Sequence, residues 1–159
     1  MENGNVNESH EIMVGKANVC IESHAKQAIA VSFIPFISLP IVYGVCAKMI
    51  VQLDKIFGIP TAKGWDSEIL NDILAGIVAA PALAIPVLGA GVASSYIKSI
   101  GESYATAVAE VVRTSTPQEI SSTAIISPRV KEELQKIYAK QREKRKERMK
   151  SREMKAGAL

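Results

Sequence analysis

Cys20 and His24, in the spacing C-x-x-x-H, are the residues of this chain that come nearest to a metal site. On a helix that spacing places a thiol and an imidazole on one face. Zinc wants four protein ligands, or three plus a water, and the remaining His10 and Cys46 stand at no ligand spacing. The pair therefore reads as a surface histidine near a buried cysteine. Asp66, Glu68 and Asp72 cluster where a helix should begin, and there they complement the positive end of its dipole. A phosphate-cradling loop would need G-x-x-x-x-G-K-[ST]. "GIPTAKGW", Gly58 to Trp65, has its lysine and glycine in the wrong order, and "GAGVAS", Gly89 to Ser94, follows a proline turn and no strand. No catalytic residue, cofactor or metal is expected, and the chain reads as non-enzymatic.

The elements that would position any site are helical. Apolar residues make up 48% of the chain and aromatics only 5%, so the apolar content is small and aliphatic, which suits closely packed helices. Val14, Ala17, Ile21, Ala25, Ala28 and Val31 recur every three or four residues and predict a first helix from about His10 to Phe33. Pro35 should end it, because the residue before proline is pushed out of the α region. Pro40 suits the first turn of a second helix closing at Gly58. Asp66 caps a third helix running to about Ala80, with Trp65 placed to staple onto Leu70. A fourth runs from about Val87 to Arg113. In "STPQE", Thr116, Pro117 and Glu119 form a capping box, and Ser127 and Pro128 start a last, long helix. The organisation expected is a disordered stretch over 1–10, a helical hairpin domain over 11–113, a Ser/Thr/Pro linker over 114–128 and a basic helix and tail over 129–159. The fold class is all-α: two proline-turn hairpins packed as a four-helix unit, plus the basic helix.

The two hairpins share one unusual design. Overlaying Pro35 on Pro81 also overlays Pro40 on Pro86, and the turn residues between are apolar: Phe36, Ile37 and Leu39 in one, Leu83 and Ile85 in the other. Helix connections normally face water and are polar, so these tips call for a cover. One cover is a bilayer, since residues 27–47 and 73–97 carry no charge and each approaches the ~20 residues that cross the hydrocarbon core. The other is protein, with the chain acting as a soluble adaptor that docks its tips on a partner or on another copy of itself. In the fourth helix Gly91, Ser95 and Ser99 fall four apart and Gly101 begins a second small-residue row, a pattern that lets helices approach closely.

The sequence from Ala28 to Ile59 and from Ile73 to Val108 resembles the YcjF-like helical domain that accompanies bacterial GTPases. Pro35-Phe36, Met49, Ile56 to Gly58, Ile85-Pro86 with Gly89, and Gly101 with Tyr104 fall in that family's places, across about residues 20–112. Ile37, Ser38 and Leu39 stand where the family often has an acidic residue, so no role of that acid carries over. The resemblance implies a membrane-associated or GTPase-coupled helical module without established catalytic chemistry.

Charge is divided along the chain. Residues 1–128 hold 7 Lys/Arg against 11 Asp/Glu, whereas 129–159 hold 12 against 5. Lys140, Arg142, Lys144, Arg145, Lys146 and Arg148 are the residues expected to meet an anionic membrane surface, each worth ~1 kcal/mol near it. An acidic protein is the other partner, and nucleic acid ranks last because no aromatics interleave with the charges. The start "MENGNVNESHE" lacks the basic and apolar regions of a signal peptide. With an even number of crossings and a basic tail, the expected location is the cytoplasmic membrane with both termini inside, or the cytoplasm in the adaptor reading.

Overall fold

A computed structural model describes residues 3–31, 38–60, 69, 71 and 90–156. Among these residues the chain is helical and has no strand, so the all-α class stands. The elements are α1 (Asn3–Val31), α2 (Ser38–Phe57), α3 (Ala90–Arg113), the single turn α4 (Pro117–Ile120) and α5 (Thr123–Ala156). The third predicted helix, with Trp65, Asp66 and Leu70, lies outside the described residues. Within it only Ile69 and Asn71 are described, both with helical backbone, and Ile69 is fully buried.

α3 is the hub, packing against α1, α2 and α5. Cross-helix pairs fix the directions. Glu22 pairs with Lys98 and Ile21 lies against Gly101, while His10 and Val14 share a cleft with Ala109 and Glu110; α1 is therefore antiparallel to α3. Met49 meets Gly101 and Asp54 meets Tyr104, so α2 runs parallel to α3. Arg129 reaches Thr114 and Ser115 and Gln141 reaches Ser103, so α5 is antiparallel. The last residue of α1, the first of α2 and the first of α3 consequently share one end of the bundle.

The predicted stripe of α1 enters the core at Ala17, Ile21 and Ala25, whereas α2 buries Cys46, Ile50 and Leu53 beside Met49. Ile100, Tyr104 and Val108 of α3 are fully buried. Gly101 permits the α1–α2–α3 contact: a Cβ there would stand 2.8 Å from Cγ1 of Ile21 and 2.9 Å from Sδ of Met49. Helix ends follow local chemistry. Gly58 takes a left-handed φ of 71°, and the N–H of Ile59 returns to the Asp54 carbonyl at 2.9 Å while that of Gly58 returns to Lys55, a Schellman closure. At α4 the Thr116 side chain accepts from the Glu119 N–H and Glu119 accepts from the Thr116 N–H at 2.7 Å, with Pro117 in the first turn.

Three boundaries differ from expectation. α1 begins at Asn3, since a polar stretch can continue a helix whose nucleus lies further on. α2 begins at Ser38, so Ser38 and Leu39 belong to the helix and Pro40 occupies its first turn. α5 begins at Thr123 and contains Pro128, because Ile126 is fully buried and its packing draws the residues before the proline into the helix. The stretch 114–128 is thus mostly helical.

Candidate functional site

The site grows from the way α5 is seated. Ile126, Val130, Leu134 and Tyr138 are buried and recur at the four-residue spacing that holds one helix face toward its neighbour. Arg129 fixes the start of that face: its guanidinium donates to Ser115 Oγ at 2.8 Å and to Thr114 Oγ1 at 3.1 Å, next to the carbonyl end of α3. Gln141 fixes the far end, its Nε2 donating to the buried Ser103 Oγ at 3.3 Å. Beyond Gln141 every described α5 side chain is exposed. Residues 142–156 form about 22 Å of helix at 1.5 Å per residue, directed toward the bundle end that carries Val31, Ser38 and Ala90.

Lys140, Arg142, Lys144, Lys146 and Arg148 are all exposed there, and Arg145 is on the same helix, its side chain outside the described residues. The structure thus gathers the expected cationic set on one solvated arm continuous with the core. The tip residues separate differently. Phe36, Ile37, Leu83 and Ile85 lie outside the described residues, and Leu39 is described only as part of α2. Of the small residues, Gly101 is in close contact as stated, Ser99 is half-buried and Ser95 is exposed, with the side of Gly91 not described. The small-residue face of α3 is therefore buried at Ser103 and Ala107 but opens toward its beginning. Among the described residues no helix is long and apolar enough to cross a membrane.

The cysteine–histidine pair is the reverse of expectation: His24 is buried and Cys20 only partly so. Nδ1 of His24 lies 2.9 Å from the Cys20 carbonyl oxygen one turn earlier in α1. The Cys20 thiol donates to Gln52 Oε1 at 3.4 Å. Burial raises the Cys20 thiol and pushes that of Cys46 up to about 12, which keeps both protonated and weakly nucleophilic. Among the described residues no three His, Cys, Asp or Glu side chains converge as metal ligands.

Two further features escaped the sequence reading. One is the buried Asp54, which accepts from the Tyr104 hydroxyl at 2.5 Å; a lone acid four residues after Ile50, inside an apolar stripe, was its only signal. The other is a cleft of about 430 Å³ between α1, α3 and α5, lined in part by His10, Glu102, Glu110 and Glu133. Two of its carboxylates are already engaged, Glu110 by Arg113 and Glu133 by Lys136. The Arg113 hydrogen bond holds the Glu110 carboxyl below the usual range.

No family model matches the chain, and no curated protein or solved structure matches it either.

Proposed function

We propose that this chain is a non-enzymatic helical module that associates with an anionic membrane surface and works coupled to a separate GTPase. The observation that carries the membrane part is the exposed second half of α5, with Lys140, Arg142, Lys144, Lys146 and Arg148 solvated on a helix whose first half is locked into the core. A rigidly mounted cationic arm binds an anionic surface at lower entropic cost than a disordered tail of equal charge. The two uncharged, proline-containing runs at 27–47 and 73–97 supply apolar contact, and the GTPase coupling rests on the resemblance of residues 20–112 alone.

Co-sedimentation with vesicles tests it. The full chain should pellet with phosphatidylglycerol-containing vesicles and stay in solution with pure phosphatidylcholine. Raising salt from about 0.05 M to about 0.5 M should weaken binding, since the screening length falls severalfold. Absence of pelleting at low salt would leave the adaptor reading in its place.

A further inference from the structure

The second half of α5 is not uniformly basic around its circumference. At 3.6 residues per turn, positions 144, 148 and 152 continue the row of Val130, Leu134 and Gln141, which faces α3. That row is Lys144, Arg148 and Arg152. The acids of this half, Glu143, Glu147 and Glu153, fall by the same register on the side turned away. So the face that packs apolar residues on α3 up to Tyr138 becomes cationic once it passes Ser103, where α3 offers Ser99 half-buried and Ser95 exposed. Lys144 and Arg148 are themselves exposed.

The geometry points to this bundle-facing row as the headgroup-binding face, oriented so that the bundle meets an anionic bilayer with the end carrying Val31, Ser38 and Ala90. The inference rests on the membrane reading above and adds to it which face binds and which end points to lipid. Two facts select lipid phosphate over an acidic protein. The antiparallel seating of α5 sends its cations toward the same end at which α1 stops and α2 and α3 begin. The described turns at that end, residues 27–31, 38–47 and 90–97, carry no charge, so cationic and uncharged, largely apolar residues fall at one end, in the order in which a bilayer presents headgroups and hydrocarbon.

Two double variants of equal charge loss decide it. Lys144→Gln with Arg148→Gln neutralises the bundle-facing row. Lys146→Gln with Lys150→Gln neutralises the side turned away. All four residues are exposed, so both variants should keep the helicity and melting of the parent. With full-length protein and vesicles of phosphatidylcholine containing roughly 30% phosphatidylglycerol, the first pair should weaken binding at least tenfold and the second less than threefold. Equal losses from the two pairs would overturn the oriented face while leaving a diffuse electrostatic attachment. Failure of the unmodified chain to bind at low salt would overturn the membrane reading itself.

Discussion

The Tyr104 hydroxyl of α3 donates to Oδ1 of Asp54 on α2 at 2.5 Å, and both side chains are fully buried. Asp54 holds two structures together, since its backbone carbonyl also closes the end of α2 by accepting from Ile59. Removing one partner of a buried polar pair costs the desolvation of the other, about 1–3 kcal/mol. Tyr104→Phe should lower the melting temperature by several degrees, and a double-mutant cycle with Asp54→Asn should show coupling. Additive losses would mean that the pair contributes no interaction of its own.

Tyr138→Phe should behave oppositely. Its hydroxyl is buried on α5 beside the Ser103 side chain, in no geometry that makes a full hydrogen bond, so deleting it removes a poorly satisfied polar atom and keeps the ring's packing. Melting should be unchanged or raised; a clear loss of stability would reveal a partner for that oxygen.

Glycines separate by their surroundings. Gly15 lies in α1 with nothing within 4 Å of a built Cβ, so Gly15→Ala should gain about 0.5–1 kcal/mol from helix propensity alone. At Gly101 the same change meets Ile21 and Met49 under 3.0 Å, and overpacking of about 1–3 kcal/mol outweighs that gain. Chemical denaturation of both variants checks the sign of each.

α5 should divide functionally near Gln141. Leu134→Ala deletes a buried side chain and should cost about 2–5 kcal/mol. Ending the chain after Arg142 removes only exposed or undescribed side chains and keeps the Gln141–Ser103 bond, so melting should shift little. If the truncated protein unfolds, the arm belongs to the core.

Alkaline pH should loosen the bundle. Burial raises Cys46 from 9.0 to about 12 and Tyr96 from 10.0 to about 12, so the folded state holds these protons more tightly than the unfolded chain. Their contribution is complete below pH 9 and is lost as pH rises toward 12. Denaturation midpoints should fall over that window, and native Cys46 should react with a thiol reagent at pH 8 far more slowly than Cys20, which is less buried. Equal rates would place Cys46 at the surface.

Where a signal is local, the sequence was enough. The capping box at Thr116 and Glu119, the helix-closing Gly58, the first-turn Pro40 and the stripe Ala17, Ile21 and Ala25 of α1 each depend on residues within about four positions of one another, and all appear in the structure. The basic character of the last helix is composition and was equally visible. Those local rules also set the limits of the reading: Pro128 marked a helix start that the burial of Ile126 overrode.

The tertiary structure decided everything that joins distant segments. That Asp54 meets Tyr104, that Gly101 is the point where Ile21 and Met49 close on α3, that His24 rather than Cys20 is the buried member of its pair, and that α5 is mounted on the core from Ile126 to Tyr138 are outcomes of helices crossing. No spacing within one helix specifies which neighbour it faces or in which direction, because an amphipathic stripe demands only burial. The seating of α5 against α3 supplied that choice, and with it the face on which Lys144 and Arg148 stand.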